Sequence, residues 1–540
     1  MRFRWLAALV AMFAFGPVAN AQPAKTEPMV ELRLRSVNDL LTKAEYIGGL
    51  VGQEEVVKQV AEIAKQLSAD GKGIEGVDPK RPFGAQATLT ADVISSSFVV
   101  MVPIADQERF LGLLSDRLQL APEKANDGTY KIAVPIINEV HLRFANEYVY
   151  VGRTAKDIDP KTIPTPKAFF AKDDGSIGSV IVRIDQIPAE LKDFVIGQFE
   201  LGIQEQRKNN AANETVMQKV ALDWFADNVT GGLKTLLEDA KALEARVFVD
   251  EKTDTLSAEL SLSAKPGSTL AKNIASLAGK TSVPAAIVGG KGAAVRLTAK
   301  AGLPDGAKQN LGKVVDAAIA EILKEVPEGE KQLAERVLKT LAPTLKAGEL
   351  DAAMSLTPGA KGGYTVIAAA GVKKGKEIET LVKDLAKQFG PAIGEAVVFD
   401  FDVEKIGNFN LHKLTVNLLP PEAEQIFGTN KVWVAISDDY IAVSVEPDGA
   451  ALKAGLKAKP APVPALSVEV AAAKLVPLIA QGASPDEVKA ILKEAFGEGS
   501  PSGKDMVSIT LTGGDKLTLK GNLKGKTIRL VAGYFMLAKN

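Results

Sequence analysis

The chain of 540 residues contains no cysteine and only two histidines, His141 and His412. The first absence excludes disulfides, thiolate nucleophiles and cysteine-ligated metals. The second leaves little histidine chemistry, because zinc and non-haem iron centres draw two or three His or carboxylate ligands from helical or hairpin spacing. His412 lies in the strand Asn410 to Val416 with no second ligand near it in sequence, and His141 sits mid-hairpin as a structural residue. Aromatic content is only 6%, so helices are expected to pack through Ala and Leu. Charge of neither sign dominates, with 65 basic against 66 acidic residues. That balance offers no reason to expect nucleic acid or an anionic membrane surface as partner. No long uncharged apolar run follows the N-terminus. The nearest, Val463 to Ala483, is broken by Glu469 and Lys474, and a bilayer span needs about 20 apolar residues.

What is present begins with an export signal. Arg2 and Arg4 form a basic start, Trp5 to Phe15 an apolar segment, and Gly16-Pro17 a break. Ala19-Asn20-Ala21 then supplies the small-x-small cleavage pattern before Gln22. No cysteine follows it, so a bacterial lipoprotein anchor is excluded. The expectation is a signal peptide over 1–21 and an exported protein, periplasmic or extracellular, soluble and without stable membrane insertion after cleavage.

A second feature is internal similarity. Val140-His141-Leu142-Arg143-Phe144-Ala145-Asn146-Glu147-Tyr148-Val149-Tyr150-Val151 reads as a β-hairpin with a polar two-residue turn. It recurs as Val432-Trp433-Val434-Ala435-Ile436-Ser437-Asp438-Asp439-Tyr440-Ile441-Ala442-Val443, with His141 replaced by Trp433. Around these hairpins one module repeats four times: strand, helix or helix pair, hairpin, then helix or strand. Examples are the strand Val30 to Leu34, the helix stripe Val56, Val60, Ile63 and Leu67, and the doubly apolar strand Phe98 to Val102, which should be central and covered. Gly48-Gly49 and Gly231-Gly232 read as helix interruptions, and a last strand is expected near Ile528 to Val531. Pro-rich stretches at Thr154 to Pro166 and Lys457 to Pro464 read as linkers or surface crossings.

The resulting fold class is α+β, with tandem duplicated antiparallel sheets and helices packed on one face. The halves are 29–285 and 286–540, with sub-modules at about 29–153, 175–285, 286–456 and 465–540.

Motifs of catalysis fall short. Gly521-Asn522-Leu523-Lys524-Gly525-Lys526-Thr527 has three residues between its glycines where a phosphate-binding loop needs four, and it is expected between two strands. Ala278-Gly279-Lys280-Thr281 has Ile274 where the first glycine should stand. Gly499-Ser500-Pro501-Ser502-Gly503 misplaces the serine of a nucleophile elbow. Asp400 and Asp402 alternate with Phe399 and Phe401, which makes the aspartates a wet strand face; a calcium or acid/base pair is the alternative.

The strings Arg81-Pro82-Phe83-Gly84, Phe98-Val99-Val100-Met101-Val102-Pro103 and Phe110-Leu111, with Leu34-Arg35-Ser36-Val37-Asn38-Asp39-Leu40-Leu41, resemble exported proteins common in planctomycete-type bacteria. The resemblance covers mainly the first 150 residues. It implies no catalytic residues and no substrate.

Three functions compete. The first is a non-catalytic exported protein acting by binding or as a structural element of the envelope. The second is a carrier of a lipid or other amphiphile between sheet and helices, an apolar small-molecule ligand. The third is a hydrolase with a carboxylate site assembled by the fold. No catalytic, cofactor-binding or metal-ligating residue is expected, and no cofactor. Protein from its native host should carry Gln22 as its first residue by intact-mass measurement; a retained leader would overturn the export reading.

Overall fold

The computed structural model describes residues 27–51, 58–59, 62, 74–91, 96–134, 138–171, 174–210, 216–289, 292–359, 363–479, 485–497 and 501–537. The leader and the expected helix stripe Val56, Val60, Ile63 and Leu67 lie outside them. The chain divides into two compact units. One runs to Val195 and includes Leu237–Lys265 and the residues from Phe535; the other comprises Ile196–Leu236 and Pro266–Tyr534. The protein is α+β, with large antiparallel sheets and helices.

The first unit holds β1 (Val30–Leu34), β2 (Phe83–Thr88), β3 (Ser97–Pro103), β4 (Glu123–Lys124), β5 (Tyr130–Val134), β6 (Asn138–Ala145), β7 (Tyr148–Gly152), β8 (Gly178–Val182), β9 (Ala240–Asp250) and β10 (Thr255–Ala264). Antiparallel pairing orders them β4-β5-β6-β7-β3-β2-β1-β8-β9-β10.

In the second unit the short β11 (Thr281–Ser282) pairs with β19 (Ala461–Pro462). Its main sheet contains β12 (Val295–Gly302), β13 (Glu349–Pro358), β14 (Tyr364–Gly371), β15 (Val397–Ile406), β16 (Phe409–Val416), β17 (Lys431–Ile436), β18 (Tyr440–Val445), β20 (Leu466–Ala471), β21 (Met506–Thr512) and β22 (Lys516–Lys524). Their order is β15-β16-β17-β18-β14-β13-β12-β20-β21-β22. Strand for strand, this path is the same as the first.

Alternation along each strand sorts residues onto two faces, and the registers show how uniform the faces are. In the second sheet Gly521, Ile509, Val468, Leu297, Met354, Ala368, Val443, Val434 and His412 stand opposite one another, strand by strand. The next row on that face runs Leu519, Leu511, Leu466, Ala299, Ala352, Ala370, Ile441, Ile436 and Asn410. In the first sheet the corresponding row is Leu260, Ala245, Val180, Leu32, Ala85, Val100, Val151, Leu142 and Tyr130. One face of each sheet is therefore almost entirely apolar.

Part of the first apolar face is capped by Phe110, Leu113 and Leu114, which form one buried cluster with Phe98, Ile132, Leu142 and Val149. Asp106 accepts a hydrogen bond from Arg109 N and so starts that helix, Gln107–Gly112. On the second sheet's other face, Ala353, Ala369, Ala442, Ala435 and Leu411 form a row of small residues. Their size lets the helix Val283–Ile287 and Leu452 pack closely, building a cluster completed by Trp433. The helix Gly375–Ile393 packs over the opposite, apolar face at β15 and β17. This sheet thus carries helices on both faces, where one was expected.

Several local expectations give way to tertiary context. The helices Val37–Val51 and Val216–Asp239 run unbroken through Gly48-Gly49 and Gly231-Gly232. Glycine costs only about 1 kcal/mol per helical residue, which a long helix absorbs. Ile528 to Val531, expected as a strand, belongs to the helix Gly525–Leu537, in which Arg529, Leu530, Ala532, Met536 and Leu537 are good helix formers. The Pro-rich stretches are packed rather than free: Ile158 is fully buried beside Tyr148 and Tyr150, Tyr150 donates to Pro164 O, and Val463 joins the Trp433 cluster.

The two matching hairpins use different turns. Asn146 and Glu147 both have positive φ, 52° and 62°, the signature of a type I′ turn. Asp438 and Asp439 have no positive φ, and the Ser437 hydroxyl instead accepts from Tyr440 N. Tyr148 and Tyr440 nonetheless open the same strand of the common order, β7 and β18. Tyr148 is buried, stacked on Phe170 and donating to Pro82 O, whereas Tyr440 is half-buried. Tyr148→Ala should therefore cost about 3–5 kcal/mol in urea unfolding and Tyr440→Ala clearly less. The reverse ranking would mean that the Tyr148 ring is not a core contact.

Candidate functional site

The one break in the second apolar face is at β16, where Asn410 and His412 end the two rows given above. Opposite them lies Glu379, on the helix Gly375–Ile393. That helix can begin where it does because residue 375 is glycine: a Cβ there would collide with the Ser437 carbonyl of the β17–β18 turn. Gly375 N donates to Asp438 O at 2.8 Å, locking the helix start to the hairpin. Four residues after Glu379, Lys383 emerges on the same side of the helix.

The third part comes from β15. Its pairing with β16 slips between Asp400 and Glu404, and Asp402 takes a left-handed φ of 55°. This bulge re-aims Asp402. Its backbone N–H donates to His412 Nδ1 at 3.0 Å, and its carboxylate meets Lys383 Nζ at 2.7 and 2.8 Å. Lys383 also reaches Glu379 Oε1 at 2.7 Å, while Asn410 Nδ2 donates to both Glu379 oxygens at 3.1 and 3.0 Å. Glu379 and His412 are buried, and Asp402 is exposed.

Burial lowers the His412 pKa, the dominant effect, partly opposed by Glu379, so the ring is neutral near pH 7. The hydrogen bond from Lys383 holds the Asp402 carboxyl below its ordinary range. Burial pulls the Lys383 ammonium down, but its hydrogen bonds to Asp402 and Glu379 outweigh that and raise it.

Glu379, Asp402 and His412 each offer a donor atom within 4.8 Å of one another, as metal ligands do. Two features of the chemistry do not fit a metal. The Lys383 ammonium already occupies the cation position between the carboxylates. The His412 Nδ1 lone pair is spent on Asp402 N–H, so the neutral ring carries its proton on Nε2, which faces Glu379 Oε1 at 3.4 Å. The cluster sets two carboxylates about one ammonium and ties one helix to the sheet.

The other candidates are dispersed. Asp400 pairs with Lys413 at 2.6 Å and does not meet Asp402, so the two aspartates expected on one wet face form no pair. The bulge is the reason: it breaks the alternation between them. His141 is buried with Nε2 at 3.0 Å from Glu139, and it joins no ligand cluster among the described residues. Gly521-Asn522-Leu523-Lys524-Gly525-Lys526-Thr527 runs from β22 directly into a helix, not between strands as expected. Gly521 is paired with Ile509 in the ladder, so its backbone cannot cradle phosphate. Gly279-Lys280 leads into β11, and Lys280 O accepts from Val463 N. Gly499 and Ser500 lie outside the described residues.

His412 was visible in sequence without its partners. Glu379 was hidden because it reads as an ordinary polar position of an amphipathic helix, and no pattern marks the bulge at Asp402. No family model, curated protein or solved structure matches this chain. Among the described residues no helix is long and apolar enough to cross a membrane.

Because burial depresses the His412 pKa, the unfolded chain binds a proton that the folded chain refuses as pH falls below about 6.5. Its contribution to stability is complete above that pH and declines below it, by at most about 1.4 kcal/mol per pH unit. Urea melts between pH 7 and 5 should show a shallower loss for His412→Gln than for the parent. Identical slopes would mean that His412 titrates normally in the fold.

Proposed function

We propose that this chain is an exported, non-catalytic binding protein that holds an amphiphile between the apolar face of its second sheet and the helix Gly375–Ile393. The observation that carries this reading is an apolar stripe that starts inside the protein and ends outside it. On that helix Ile378 is buried, yet Val382, Phe389 and Ile393, at helical spacing from it, are 39%, 40% and 40% exposed. On the sheet face Leu350, Met354, Ile509 and Leu519 are each more than a third exposed. Folded proteins seldom leave so much apolar surface on one helix and one sheet face unless something covers it. Covering the exposed part of one such phenylalanine removes about 80 Å² from water and contributes about 2 kcal/mol. A handful of such residues suffices for micromolar binding after the cost of association.

The polar cluster at the β16 end supports an amphiphile rather than a plain hydrocarbon, since it supplies charge where the apolar rows stop. It gives less support to a hydrolase. Glu379 is buried, and Lys383 engages both carboxylates, which leaves neither poised as a general acid or base. The common strand order of the two units supports reading them as duplicated halves, and the N-terminal leader pattern supports export.

The test is titration with a fluorescent fatty acid, read by anisotropy. The parent should bind saturably, and Met354→Asp and Phe389→Asp should each weaken binding at least tenfold with unchanged circular dichroism. Lys489→Asp, at an exposed position on the helix Pro485–Phe496, whose Val488 and Leu492 pack in a different cluster, is the control. No binding, or equal loss in all three variants, would overturn the proposal.

A further inference from the structure

In the first unit a cleft of about 180 Å³ opens at the end of β1, lined by Arg33, Arg35, Ser36, Lys80, Ser176 and Ser179 among others. Asp39 and Asp174 also contribute to its wall, and Leu34, Pro82 and Phe170 provide its apolar parts. The charges here are not equally committed. Asp39 accepts from the Ser36 hydroxyl at 2.8 Å, and Asp174 pairs with Arg246 at 3.1 Å while accepting from Ser176 N. Both carboxylates are thus occupied by protein donors.

Among the cations, Arg35 Nε donates to Ser176 O at 3.0 Å. Arg33 is held from two sides: its Nη2 meets Glu31 at 2.6 Å, and its guanidinium lies 5.1 Å over the Phe169 ring. That grip leaves Arg33 Nε buried with no hydrogen-bond partner. The Lys80 ammonium makes no ion pair among the described residues. Among the described lining residues there are three cations and two engaged carboxylates, with Arg33 also paired to Glu31, and two donors remain unused, one rigid and one mobile.

The geometry points to a phosphate-binding site, taking either the free anion or a phosphate monoester. A tetrahedral oxyanion has acceptors enough for Arg33 Nε–H and the Lys80 ammonium at once, and charge-assisted bonds of this kind are the strong ones. The rigid Arg33 gives direction, and Lys80, on a flexible stem, closes onto the bound group as a point charge. The site lies in the first unit, whereas the amphiphile is placed on the second unit's sheet, so it does not rest on the amphiphile reading.

The experiment is calorimetric titration of the full-length exported chain with inorganic phosphate and, separately, with glycerol phosphate, at constant ionic strength so that screening does not change. Saturable binding is expected, and Lys80→Glu should weaken it at least tenfold. Lys80 is exposed, so this variant should keep its fold, checked by circular dichroism. Lys489→Glu, on an exposed helix of the second unit, should bind as the parent does. Saturation by inorganic phosphate identifies a free-anion site, and saturation by the monoester alone identifies an esterified head group. No saturation by either, or equal weakening by both variants, would overturn the site.

Discussion

Two-residue alternation in long antiparallel sheets is the constraint on which both units depend. Because successive side chains point to opposite faces, a slip of one residue in any strand would carry its apolar set to the wrong side. The registers avoid this across nine consecutive strands in each unit, aligning Leu32 with Val180 and Ala85 in one and Leu297 with Val468 and Met354 in the other. Helices then pack where the rows allow. The alanine row through Ala353, Ala369, Ala442 and Ala435 permits close approach of a short helix. The bulkier row behind it meets a longer helix and stays partly open.

The polar cluster is the exception that gives this second sheet a direction. A carboxylate such as Glu379 on an apolar face is costly unless its oxygens are paired. Asn410 and Lys383 supply those partners, and Asp402 reaches the same ammonium from a bulge. The result pins the first turns of one helix to β16 while its apolar stripe runs on beyond that contact. Rigidity at one end and uncovered apolar surface at the other is the arrangement on which the proposed binding role rests.

The alternating strands, the paired hairpins and the α+β class were legible in the sequence, because period-two patterning and turn residues are local properties. Val140 to Val151 and Val432 to Val443 align without a gap for that reason. Helix ends were less legible: glycine pairs suggested breaks at Gly48-Gly49 and Gly231-Gly232, but packing and helix length outweigh a cost of about 1 kcal/mol each. Proline suggested linkers, yet Ile158 and Val463 anchor those stretches in the core.

Sequence alone thus determined composition-level facts and local geometry: no thiol chemistry, two isolated histidines, a leader pattern and strands with one apolar side. Only tertiary structure decided the strand order, the meeting of Glu379, Lys383, Asp402 and His412, and the gathering of Arg33, Arg35 and Lys80 about one cleft. The physical reason is sequence separation. Each of these groups is unremarkable in its own segment, and its chemistry arises only when register, a bulge and a helix start bring distant segments within hydrogen-bond reach.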